Sequence, residues 1–178
     1  MNREHLAHVL RAAATATGRE ELLVIGSQAI LGTYDAADLP VVATVSIEAD
    51  IGAFDDPDDA VADMIDGAVG ELSPFHEMYG YYAQGISVTT AVLPSGWRER
   101  LVKFESEATH PARGWCLEPH DLVIAKLVRA DPKDDEFAVA LRRVGVVDPS
   151  ILAERLAATD VAAPVRDRIQ RWIAAEVR

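Results

Sequence analysis

Cysteine, aromatic side chains and long apolar runs are all scarce in this chain of 178 residues. The single cysteine, Cys116, has no partner for an internal disulfide. Cys116 and His120 also lack the second pair that a zinc set would need. The longest apolar stretches, such as Leu22 to Ile25 and Val41 to Val45, fall far short of the roughly 18 residues a membrane span requires. Residues 1–10 do not read as a cleavable signal, so the expectation is a cytoplasmic protein with no membrane partner.

Positive charge is missing from a long stretch: no lysine or arginine stands between Arg19 and Arg98, which holds fourteen carboxylates. From Arg98 onward there are fourteen Lys+Arg and fourteen Asp+Glu, and the net charge of the whole is −12. No basic patch of the kind that drives non-specific nucleic-acid binding is visible. An anionic ligand would have to meet cations from the second half, or a metal. With 49% hydrophobic residues the chain is not of disordered composition. At this length one compact unit can bury roughly 70% of the surface its unfolded form exposes, without disulfides or structural metal.

The pattern predicts an α+β fold, a small mixed sheet in residues 1–117 followed by a helical region over 118–178 packed on it. Leu6, Val9, Leu10 and Ala13 predict an amphipathic helix over Asn2 to Thr17, stopped at Gly18. Leu22 to Ile25 reads as a buried strand, Gly26-Ser27 as a tight turn, and Gln28 onward as a helix. A second strand is expected near Thr44 to Ile51, where apolar residues alternate with Ser46, Glu48 and Asp50. Asp56-Pro57 looks like the cap and first residue of a helix running to Gly70, with Asp58 and Asp59 in its first turn. Gly85 to Leu93 is expected as a third strand, with more extended chain between Arg100 and Leu117. Four helices follow, over Asp121 to Arg129, Asp134 to Val144, Pro149 to Ala157 and Pro164 to Val177.

Two features carry chemistry. Gly26-Ser27, at a strand-to-helix junction, would let backbone amides approach phosphate oxygens, although such a dipeptide also makes simple turns. Glu48 and Asp50, two apart on a strand, project to one side, where like charges are unfavourable unless a cation lies between them. Mg²⁺ suits such a pair with substrate phosphates as further ligands; the alternative is an edge strand facing solvent. Pro74 to Tyr82 concentrates aromatics in a chain with only 6% of them, as core packing or as a stacking surface for a base. Arg98 or Arg100 could reach phosphate or remain solvated on a turn, and His5 and His8 read as exposed helix residues.

The order of a Gly-Ser turn, a helix and a strand with an acid-x-acid pair resembles the polymerase-beta-type nucleotidyltransferases. With Leu117-Glu118-Pro119-His120-Asp121-Leu122, Ala125-Lys126-Leu127 and Lys133-Asp134-Asp135-Glu136-Phe137, the chain from Leu22 to Leu156 resembles the DUF6036 nucleotidyltransferases. That group is similar to the AbiEii-like and MenT-like toxin nucleotidyltransferases. The resemblance implies that Gly26 and Ser27 contact phosphates, Glu48 and Asp50 hold Mg²⁺ or Mn²⁺, and Lys126, with Lys133, neutralises phosphate charge. It implies a site role for Asp134, which could also be a helix N-cap, as Lys126 could be a snorkelling surface lysine.

The implied activity is transfer of a nucleoside monophosphate from NTP to an acceptor hydroxyl. A tRNA 3′ end is the acceptor the toxin resemblance suggests, and a protein or small molecule is the one the acidic charge suits. The chain departs from the pattern at Glu48, where Asp is common, at Asp131, where many relatives carry a basic residue and Arg129 or Lys133 would have to compensate for its loss, and in Ser87 to Leu93, which offers no third carboxylate. Asp134 or Asp121 could then serve as base. The alternative is a degenerate nucleotide-binding or regulatory module acting through a protein partner such as a cognate antitoxin.

Overall fold

In the computed structural model, which describes residues 1–175, the chain opens with helix α1 (Arg3–Thr17). The Asn2 side chain accepts the His5 N–H at its start, and Gly18, at φ 67°, ends it in the left-handed conformation that glycine adopts without steric cost. Leu6, Val9, Leu10 and Ala13 are buried, as their spacing predicts. Strand β1 (Glu21–Val24) follows. The helix expected after Gly26 is a single 3₁₀ segment, Ser27–Gly32.

A four-residue helix, α2 (Val41–Thr44), takes the place of the start of the expected second strand, so β2 is shorter (Glu48–Gly52). Helix α3 (Ala60–Val69) begins later than predicted. Its N-cap is Asp59, and Pro57 and Asp58 lie in a turn before it. Asp56 still serves the helix start from a distance, its carboxylate accepting the N–H groups of Val61 and Ala62 at 3.0 Å. The aromatic segment forms helix α4 (Pro74–Tyr79), capped by Ser73.

The third strand is displaced from its expected place. It is β3 (Tyr82–Gly85), and within Ser87 to Leu93 the only regular element is a 3₁₀ turn over Val88–Thr90. The reason lies in the pairing: β3 runs parallel to β2, and the Ile86 N–H reaching the Ile51 carbonyl is the last bond before β2 ends at Gly52. Beyond that point the apolar residues have no strand to pair with. The extended region holds β4 (Val102–Phe104) and β5 (Arg113–Cys116). Four helices complete the chain, α5 (Pro119–Arg129), α6 (Pro132–Arg143), α7 (Pro149–Ala157) and α8 (Ala163–Ala174), the first three starting with proline at the first helical position. The expected end of the last helix, Val177, lies outside the described residues.

The five strands form one mixed sheet in the order β3-β2-β1-β5-β4, so the fold is α+β. β1 is central, antiparallel to β2 and parallel to β5. Ala49 and Ile51 are fully buried on the face of β2 covered by α1 and α3. Glu48 and Asp50, in the alternate positions, project from the other face, where Asp50 meets α5.

Candidate functional site

The junction between the sheet and the helical half contains a cavity of about 440 Å³. Gly26 at the end of β1, Asp50 on β2, Gln84 on β3, and Lys126 and Arg129 on α5 contribute its polar wall. Ile25, Ile86, Val92, Leu122 and Val128 are among its apolar lining. Chain segments distant in sequence therefore meet here.

Gly26 is required by space, not by backbone conformation, because its φ of −71° and ψ of −167° suit any residue. A Cβ at this position would lie 1.4 Å from Asp50 Oδ2, so the carboxylate of Asp50 sits directly against the glycine backbone. Ser27 is the first residue of the 3₁₀ segment, not of an α-helix. Glu48 lies two residues before Asp50 on the same side of β2, and its Oε2 accepts a 2.8 Å hydrogen bond from the Tyr82 hydroxyl. Burial, and after it the Glu48 charge, pushes the Asp50 carboxyl above its ordinary range; Lys126, Arg129 and Lys133 act the other way without cancelling this. Burial and the bond to Glu48 likewise raise the Tyr82 phenol.

The cations on the facing wall are organised by Asp134. This side chain is fully buried and accepts from Lys126 Nζ at 2.9 Å, Arg129 Nε at 2.7 Å and an Arg129 terminal nitrogen at 2.6 Å. Burial alone would raise the Asp134 carboxyl, but the bonds from Arg129 and Lys126 outweigh it and hold the group low. Lys126 is buried, not a snorkelling surface lysine, and lies 4.7 Å from the centre of the Phe137 ring. Its desolvation lowers the ammonium, and Asp134 opposes that shift. Asp134 is not the N-cap of α6; Asp131 is, accepting the Lys133 N–H. Lys133 is exposed in the first turn of α6 and close enough for its charge to act on Asp50.

Several residues weighed from the sequence are committed elsewhere. Asp121 is fully buried and bonded to Arg100 at 2.8 and 3.0 Å, with Arg155 at 3.3 Å, which removes both Asp121 and Arg100 from the cavity chemistry. Arg98 stacks on Trp97. The Glu118-Pro119-His120 motif fixes the start of α5: Glu118 accepts the N–H groups of His120 and Asp121, and His120 Nε2 accepts the Asp148 N–H. His5 and His8 are half-buried rather than exposed, packed with Phe75, Tyr79 and Tyr81; His8 Nδ1 lies 2.8 Å from the Tyr81 hydroxyl. These five aromatic rings pack on one another, and none of them lines the cavity. Cys116 is fully buried, its thiol pushed up to about 12 by burial.

Sequence reasoning missed Gln84 and Tyr82 as neighbours of the acidic pair, and gave Arg129 only a compensating role. The Arg129-to-Asp134 spacing, five residues across Pro132, was a usable sign for the last; strand register, which places the first two, was not legible. The family comparison adds to this geometry. The family model described as "Nucleotidyltransferase of unknown function (DUF6036)" matches residues 4–173. The chain belongs to this family. No curated protein and no solved structure matches it. Membership makes the chain a nucleotidyltransferase-family protein, and its cavity brings Gly26, Asp50 and Lys126 together. No helix among the described residues is long and apolar enough to cross a membrane.

Proposed function

We propose that the cavity binds a nucleoside triphosphate with a divalent cation and that the protein transfers its nucleoside monophosphate to an acceptor hydroxyl. The carrying observation is that Asp50 of β2 meets Lys126 and Arg129 of α5 at a single cavity, with Glu48 and Lys133 outside its lining but close enough for their charges to act on Asp50, in a chain of this family. The residues fit the ion. Glu48 and Asp50 are hard oxygen donors on one side of one strand, and their mutual repulsion is what a cation relieves. Glu48 and Asp50 would hold Mg²⁺ or Mn²⁺, with phosphate and water oxygens as the remaining ligands. When bound, the ion offsets phosphate charge and stabilises displacement at phosphorus.

The chain's own groups bind and orient. Gly26, without a Cβ, lets the Asp50 carboxylate lie against its backbone, and the backbone of Gly26 and the adjoining Ser27 would meet phosphate. Lys126, Arg129 and Lys133 offset triphosphate charge from the opposite wall, Lys126 and Arg129 in positions fixed by Asp134. The acceptor oxygen bonds to the α-phosphorus, the bond from that phosphorus to the bridging oxygen breaks, pyrophosphate leaves, and the hydroxyl proton passes to water. A tRNA 3′ end is the acceptor a kinship to the AbiEii-like and MenT-like toxins supports; the net charge of −12 favours a protein or small molecule. The setting is the cytoplasm.

A second reading, a degenerate nucleotide-binding or regulatory module acting through a partner such as a cognate antitoxin, is favoured by one observation. Gln84 is opposite Asp50, and both Asp121 and Asp134, the carboxylates that could replace a third-strand acid, are engaged by basic side chains and not free to act as base. One assay separates the two. Label from α-labelled NTP should appear on RNA, protein or a small acceptor with wild type and disappear with Asp50→Asn. NTP-dependent thermal stabilisation without transfer to any acceptor would leave the module, and no stabilisation by Mg²⁺ and NTP would exclude both.

A further inference from the structure

The strand beside β2 decides how much negative charge the site can offer. β3 pairs with β2 in parallel register, Glu48 opposite Tyr82 and Asp50 opposite Gln84. Paired residues of adjacent strands, about 4.8 Å apart, present their side chains on the same face. Tyr82 and Gln84 are therefore the nearest neighbours of the two carboxylates along the sheet. Tyr82 occupies one oxygen of Glu48 with its hydroxyl. Gln84 lines the cavity with Asp50 and carries no charge. Among the described residues, no three His, Cys, Asp or Glu side chains come together as a metal-ligand set.

We infer that this site takes one divalent ion and not two, and that Gln84, the register partner of Asp50, sets that number; the inference rests on the nucleotide-binding reading above. Glu48 and Asp50 together carry two negative charges, which one divalent ion balances. A second ion would need a third anionic donor on the cavity side of β3, where the side chain is an amide. The opposite wall already carries the fixed cations Lys126 and Arg129, which repel a further metal. They also do part of its work. Arg129, whose side chain is 58% exposed, and Lys133, which has no ion pair among the described residues, are available to the phosphate oxygens that a second ion would otherwise neutralise. Gln84 is thus a specificity-determining residue for metal number. Its amide N–H₂ is a donor that a carboxylate or phosphate oxygen can accept.

The test is electron paramagnetic resonance of Mn²⁺ in complex with the full chain and a non-hydrolysable NTP analogue. Wild type should give the signal of a magnetically isolated ion. Gln84→Glu should give the exchange-coupled signal of a pair roughly 3.5–4 Å apart, with two Mn²⁺ per complex. Gln84→Ala should remain at one. Gln84 is exposed on an edge strand, so these variants should fold, as circular dichroism would verify. A coupled pair in wild type would overturn the one-ion inference while leaving the nucleotide-binding reading standing. An isolated ion in Gln84→Glu would overturn the role of Gln84. If wild type bound neither the analogue nor Mn²⁺ with it, the reading itself would fall, and the inference with it.

Discussion

Asp50 and Asp134 stand near the same cavity and are held in opposite states. Asp134 is fully buried, yet its carboxyl is held low because Lys126 and Arg129 donate to it directly. The Asp50 carboxyl is raised instead, because burial is reinforced by Glu48 and the cations facing it are not bonded to it. Burial alone does not fix the charge state of a carboxylate; direct hydrogen-bonding partners do. One region is a finished ion-pair network that positions cations. The other is an acidic pair whose repulsion remains to be relieved by something bound, and that difference separates framework from site.

The largest effect should come from breaking the finished network. Asp134→Ala would leave the Lys126 ammonium buried without its anion, and a loss of about 3–5 kcal/mol in denaturant unfolding is expected. A small loss would mean that Asp134 is not the organiser of that wall. Next comes Gly26→Ala, whose Cβ would collide with Asp50 Oδ2; a destabilisation of about 1–3 kcal/mol is expected, together with loss of Mg²⁺-NTP stabilisation. In the double variant with Asp50→Ala most of that destabilisation should vanish, and simple additivity would show that the clash is not with Asp50.

Tyr82→Phe removes the hydroxyl that orients Glu48, at a cost of about 1 kcal/mol in stability. Its sharper readout is Mn²⁺ affinity in the analogue complex, expected to fall about tenfold, as for other residues that orient metal ligands. The smallest effect, under about 1 kcal/mol, is expected for Asp50→Asn without ligand, and its sign is opposite to that of Asp134→Ala.

The two aspartates should also respond oppositely to pH. Asp134, lowered in the folded state, contributes stability above its unfolded value of 3.8 and loses it as pH falls below that value. Asp50, raised in the folded state, disfavours folding increasingly as pH rises above 3.8 toward its folded value. Asp50→Asn should therefore flatten the decline on the neutral side, while Asp134→Asn should remove part of the acid-side loss. Parallel changes in both variants, followed by thermal melts across pH, would break the contrast.

The helices were the most legible part of the fold. The expected start of α7 at Pro149 holds, whereas α5 and α6 begin two residues before the expected Asp121 and Asp134, at Pro119 and Pro132, where an acidic residue before each proline caps the helix. The same reasoning placed the start of α3 too early, because Asp56 caps it across a turn of several residues. For the strands, Gly85 to Leu93 has the apolar content of a strand, but a strand needs a partner, and β2 ends before that segment begins. The acidic pair was visible as a period-2 pattern; what Gly26, Tyr82 and Gln84 do beside it was not.

The sequence by itself determined the charge division, with every lysine and arginine absent between Arg19 and Arg98, and the acid-x-acid pair, since strand alternation alone puts Glu48 and Asp50 on one side. It also determined family membership, since the family model matches residues 4–173. Only the tertiary structure decided which cations face that pair and which are spent on other carboxylates. Arg100 and Lys126 look alike as isolated basic residues, but Arg100 meets Asp121 away from the cavity while Lys126 meets Asp134 at its wall. The physical reason is that an ion pair depends on separation in space, and sequence separations such as the 21 residues between Arg100 and Asp121 do not fix that separation until the chain has packed.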